Sequence, residues 1–184
     1  MFKKKKSKQP PGDLNNKPGE VPLAQRIIDP RLPVNHGERF TLQKTWKAMS
    51  RKGTDAALAI FLRIFKEHPE YKSHFKCLPP SLDVTDEDQL RDCDAFVEHA
   101  GVVMGALDDA VSKLDTPDEY MESLKELRIF HQSHVSGFNK TYTQVFYKHL
   151  LIVCEDVLEE RYNDKVRGIY TKYWEFYTNQ VAGE

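Results

Sequence analysis

Cysteine is scarce in this chain, and nothing in its spacing suggests pairing. Cys77, Cys93 and Cys154 form an odd set of three without the close paired spacing of a zinc site, which points away from a disulfide framework and toward reduced thiols in a cytoplasmic setting. Long apolar runs are missing too. No segment approaches the roughly 18 to 20 residues that a membrane span requires, and no apolar stretch of the signal-peptide kind follows the lysine-rich start. Phe2 rather than glycine follows Met1, so the N-myristoylation signal is absent. With 27 basic and 28 acidic residues the net charge is only -1, which gives no reason to expect nucleic acid or another polyanionic partner. Sustained period-two alternation is also lacking, and this argues against strands.

What is present fills one core. Of 184 residues 40% are hydrophobic, enough for a single sizeable folded domain. Residues 1–36 carry Pro10, Pro11, Pro18, Pro22, Pro30 and Pro33 among lysines and asparagines, a composition that predicts a disordered extension ahead of a domain spanning 37–184. Lys3, Lys4, Lys5, Lys6, Lys8 and Lys17 against Asp13 and Glu20 leave residues 1–20 near +4. Such a cluster could associate weakly with an anionic membrane surface, at up to about 1 kcal/mol per lysine. It equally fits a nuclear-import patch or a solvated tail, and the solvated tail is the default.

From Phe40 a helical period sets in, with Leu42, Trp46 and Met49 on one face. Gly53 interrupts it, and Thr54 or Asp55 is placed to cap a second helix carrying Ala57, Leu58, Phe61, Leu62 and Phe65. Pro69 predicts its end near His68. Residues 76–88 read as a loop, and an amphipathic run follows from Leu90 to about Leu114. Pro117 suits the first turn of the next helix, which places Leu124, Leu127 and His131 on a shared face and ends by Gly137. Two further helices are expected over about 140–160 and 164–181. The fold class is all-α, with at least six helices and no internal repeat.

Two histidines in this pattern carry chemical interest. His99 and His131 each sit in an apolar helical context, 32 residues apart on different helices, and a neutral imidazole is a strong metal ligand. A lone histidine on an apolar face is ordinarily a core residue satisfied by a neighbour, and the residues alone leave that reading open. Val103 lies one turn after His99, Leu124 and Leu127 precede His131 by seven and four positions, and Phe75 precedes the His99 helix. Together these would line an apolar slot around both rings. His134 could join His131 in another metal site, but the sequence has no Glu-x-x-His repeat of the di-iron bundle type, and a surface or pocket-rim position is the preferred reading for it.

Four stretches in order carry a resemblance to the globin family across residues 40–181: LQKTW at Leu42–Trp46, PEYKSHF from Pro69 to Phe75, FVEHAGVVM from Phe96 to Met104, and LKELRIFH from Leu124 to His131. The resemblance implies a globin fold of six to eight helices enclosing a haem pocket. It makes His131 the proximal iron ligand and His99 the distal histidine. Phe75 matches the family phenylalanine against the haem face, Val103 the distal valine, and Phe61 the residue overhanging the sixth coordination position. Leu127 would pack beneath the porphyrin, with Phe146 and Trp174 as further candidates for the pocket wall. No Cys-x-x-Cys-His occurs, so the expected cofactor is haem b, iron protoporphyrin IX, without covalent attachment.

Phe61 with His99 is similar to the combination in neuroglobin-like globins. This implies bis-histidyl hexacoordination and a redox, signalling or gas-sensing role, with oxygen, CO, NO or nitrite as ligands and a reductase or electron-transfer partner. The chain is not expected to be an enzyme in its main role, although electron-transfer, nitrite-reductase or NO-dioxygenase side activity fits the same site. A pentacoordinate oxygen storage or transport globin and a non-haem globin-like interaction module are the alternatives. The basic residue that relatives often carry beside the distal histidine is replaced by Ala100, Gly101 and Val102. Gly101 and Gly105 weaken that helix by about 1 kcal/mol each relative to alanine; close helix packing is the preferred account over helix mobility. Some neuroglobins have a cysteine pair near Cys77 and Cys93, which raises a disulfide tether against the default of two free thiols.

Overall fold

In a computed structural model of the chain, residues 21–183 are described. They form seven α-helices joined by short turns and 3₁₀ segments, and no β-strand occurs among them beyond an isolated bridge between Ile27 and Asn35. The helices are α1 (His36–Lys52), α2 (Thr54–Glu67), α3 (Glu87–Arg91), α4 (Asp94–Ser112), α5 (Pro117–His134), α6 (Lys140–Leu158) and α7 (Asp164–Ala182). None is long and apolar enough to cross a membrane.

Local chemistry sets the boundaries. Asn35 caps α1 by accepting from Glu38 N, while Glu38 accepts from Asn35 N in return, which satisfies two otherwise orphaned donors. Asn139 and Asn163 cap α6 and α7 without the return bond, accepting from Thr141 N and Val166 N. Thr54 and Asp55 do not cap α2 as expected. Gly53 holds that position at φ 52°, where a β-carbon would be strained, and lets α2 begin directly after α1.

The run expected from Leu90 to Leu114 is broken in two. Asp86 caps α3 by accepting from Asp88 N and Gln89 N, and Cys93 then turns extended at ψ 96° before α4 starts. Arg91, at the end of α3, pairs with Asp55 of α2 and with Glu87.

The extension also differs from expectation. Residues 21–35 are ordered: Leu32 and Val34 are buried in the core, His36 N donates to Arg26 O, and Arg31 bonds Asp29 and Asp118. Arg31 holds the Asp29 carboxyl down to about 2. An averaged composition hides two apolar anchors, which suffice to fix the segment. Residues 1–20, with the lysine cluster, lie outside the described residues.

The packing positions the site. α6 lies along α7, α2 packs on both α4 and α6, and α5 leans mainly on α7. Burial is uneven between them: α2 and α7 each bury eight residues, whereas α5 fully buries only Tyr120 and Leu124. The inner face of α5 therefore borders space rather than core.

Candidate functional site

That space is a cavity of about 330 Å³ bounded by α2, α4, α5, α6 and α7 together with the turn at Phe75, a size within the range of small-molecule and cofactor pockets. Phe61, Phe75, His99, Val103, Leu127, His131 and Phe146 all line it. The sequence pattern thus brought seven residues from five elements to one place. Trp174 does not line it; α7 turns this indole into the core against Trp46 and Tyr173, and Tyr177 forms the wall instead.

His131 is held in a defined tautomer. Its Nδ1 lies 2.9 Å from the Leu127 carbonyl oxygen one turn earlier. A carbonyl only accepts, so Nδ1 carries the proton and Nε2 keeps the lone pair. The ring is also stacked on Phe138, with centroids 4.8 Å apart. Orientation of an imidazole by a backbone carbonyl is the usual support for a ligating histidine. Burial pushes the His131 pKa down, the Leu127 hydrogen bond opposes this, and His134 adds to the lowering.

His99 is surrounded by phenylalanines. Phe75 meets its ring edge-on at 5.1 Å between centroids, Phe61 is 5.4 Å away and Phe96 6.4 Å. Burial, and then the nearby His131, lower its pKa. Both imidazoles are therefore neutral at pH 7, the state in which the ring can donate a lone pair to a metal.

His134, expected at the surface or the pocket rim, lines the cavity from the end of α5. His74 and Lys76 beside Phe75, and Phe138 and Tyr142 on the side nearest His131, also line it, and the sequence singled out none of these four. Lys76 and His134 are exposed, so the cavity has a polar edge and an apolar interior. Lys76 follows Phe75 directly, but no spacing rule marks a loop lysine as pocket-lining. Cys77 lines the cavity and Cys93 caps α4, and both are free thiols.

The small residues of α4 are not there for packing. A β-carbon on Gly101 would make ordinary contact with Thr54 Oγ1 at 3.6 Å, and one on Gly105 would meet nothing within 4 Å. Close helix approach thus requires glycine at neither position.

Comparisons with known proteins agree with this geometry. A family model described as Globin matches residues 58–181. Cytoglobin-1 of Oryzias latipes is 27% identical over 172 residues, covering 92% of this chain and 87% of that protein. Cytoglobin-2 of the same fish is 22% identical over 147 residues, covering 77% and 80%. A solved structure, a hexacoordinated heme protein from an anhydrobiotic tardigrade at pH 4, superposes with a TM-score of 0.75 at 29% identity, covering 84% of this chain and 96% of that one. The family match spans more than half of the chain and includes every residue around the cavity that the sequence singled out, and the chain belongs to the globin family.

Proposed function

We propose that this globin binds haem b between His131 and His99, with both imidazoles on the iron in the resting state, and that it serves redox or gas-sensing chemistry. The observation that carries the reading is the fixed tautomer of His131, in an apolar cavity that also holds a neutral His99 with no hydrogen bond to its ring. The donor set fits a metal that brings its own macrocycle. Among the described residues no group of three or more His, Cys, Asp or Glu could hold a bare ion, whereas two imidazoles in an apolar slot supply the axial positions that a porphyrin leaves open.

When bound, haem supplies an iron that takes a diatomic ligand and cycles between ferric and ferrous states. The residues do the rest. His131 presents Nε2 because Leu127 occupies Nδ1–H. His99 would offer the iron a second lone pair or, swung away, an N–H to a small ligand, and Phe61 beside it provides no competing hydroxyl. Phe61, Phe75, Val103 and Phe146 exclude water, and Leu127 supports the opposite face. Lys76, with His74 and His134 nearby, would offer N–H donors to the haem propionates in place of the basic residue missing after His99. Gly101 and Gly105 leave α4 easier to shift, as release of His99 requires.

Oxygen, CO, NO or nitrite are the expected ligands, with an electron-transfer protein as the partner. A site that must expel His99 before binding favours sensing or redox work over bulk storage. Titration of haem into the apoprotein tests the ligand roles: the Soret band should saturate at one haem per chain, and His131→Ala should abolish tight uptake. His99→Leu should keep the haem but convert a six-coordinate low-spin spectrum to five-coordinate high-spin. A His99→Leu spectrum identical to that of the parent would refute the distal assignment.

A further inference from the structure

The near-zero net charge conceals a strong segregation. Residues 1–52 hold 13 basic and 4 acidic residues, whereas residues 53–184 hold 14 and 24. On the folded surface the excess cations stand along α1. Lys44, Lys47 and Arg51 are all exposed, and none has an ion-pair partner among the described residues. Their spacing places them on one stripe, opposite the face that buries Leu42, Trp46 and Met49. A face that is merely solvated ordinarily alternates the two signs of charge. Here the one acid of α1, Glu38, is engaged by Lys172 of α7.

The same stripe begins with Phe40, which is more than half exposed. Val21, Leu23 and Ile27 are exposed to a similar degree, so four of the seven large apolar side chains of that kind among the described residues fall within 21–40. The segment that carries the first three is fixed against α1. A β-carbon on Gly37, one turn before Phe40, would come within 2.9 Å of the Ala24 carbonyl oxygen. Arg26 Nε donates to the Val21 carbonyl at 2.9 Å, and Ile27 bridges to Asn35. Exposed apolar side chains scattered singly need no explanation. Four of them, held beside a stripe of unpaired cations, make a surface.

We propose that this surface, the 21–27 segment with the outer stripe of α1, docks the protein on a bilayer that carries anionic phospholipids. The apolar side chains enter the headgroup boundary while Lys44, Lys47 and Arg51 meet the lipid phosphates. The six lysines of residues 1–20 precede Val21 directly in the chain and add to the attraction. Attraction by cations alone is weak and screened by salt, and apolar insertion supplies a hold that salt does not remove. Nucleic acid would engage the cations but leave the four apolar side chains in water. α1 lines no part of the cavity, so attachment leaves the pocket accessible, and the proposal stands independently of the haem reading.

Flotation of the full chain with lipid vesicles tests this. The protein should float with vesicles of phosphatidylcholine and phosphatidylserine, less so at high salt, and should not float with phosphatidylcholine alone. Lys44→Gln combined with Lys47→Gln should weaken binding by about tenfold, and Phe40→Ser by several-fold. Val102→Ser, at an equally exposed apolar position on α4, should leave binding unchanged. All of these positions are exposed, and matching thermal midpoints check that the variants fold as the parent does. Equal flotation with both kinds of vesicle would overturn the proposal, as would no flotation together with retention on a DNA duplex. Parent-like binding by the Lys44, Lys47 and Phe40 variants would also overturn it, because the attraction would then lie in residues 1–20 alone.

Discussion

His149 shows how far a single buried group can be traced. It lies on α6 at 2% exposure with neither ring nitrogen hydrogen-bonded, and its Nε2 is 3.3 Å from Glu67 Oε2 but out of alignment for a bond. Burial lowers its pKa and outweighs the attraction of Glu67, whose own carboxyl is held down chiefly by Lys148. An imidazole in the unfolded chain titrates near 6.5, so on acidification the unfolded state takes up this proton first. Stability from His149 is complete above about pH 6.5 and is lost as pH falls toward the lowered folded value. Urea unfolding of the apoprotein should show a falling midpoint between pH 7.5 and 5.5, with a shallower fall in His149→Leu; equal slopes would contradict the assignment. His99 and His131 add the same sign through their own lowered values. The sequence did not single out His149, because a histidine facing the α2–α6 core and one facing a cofactor present the same helical spacing.

At the scale of elements, α4 and α5 carry the weak points. Gly105 is exposed, helical and free of steric demand, so Gly105→Ala should raise stability by up to about 1 kcal/mol, seen as an increase in thermal midpoint. A decrease would mean that the backbone there needs glycine after all. α5 carries His131 yet buries only two residues fully, and its missing partner is the proposed haem. In the apoprotein, amide hydrogen exchange should therefore be faster over α5 than over α2 or α7, which bury eight each, and haem should slow it selectively. Exchange over α5 indifferent to haem would count against the site. Helix existence was legible from periodicity at every long segment, whereas boundaries were not. Beside the break at Asp92 and Cys93, Arg91 reaches Asp55 of another helix, a contact no local pattern encodes. The same holds for residues 21–35, where Leu32 and Val34 find a core that proline content does not reveal.

Across the whole molecule, the cavity residues were legible because the resemblance to the globin family assigned them position by position, and two histidines and five apolar residues from five elements converge. Of its polar edge only His134 was legible; His74 and Lys76 were not, since they reach the cavity where a loop and a helix end happen to meet. Trp174 failed for a related reason: the face of α7 that reads as apolar is wide enough to serve both core and cavity, and the spacing does not say which ring turns inward. The fold places a neutral His99 with no competing hydrogen bond in the same cavity as a tautomer-fixed His131, and the central claim is that His99 itself binds the iron. The optical spectrum of the haem-loaded, ligand-free ferrous protein tests this most directly. A six-coordinate low-spin haem with sharply split visible bands is the predicted result, and a single broad five-coordinate band would contradict it.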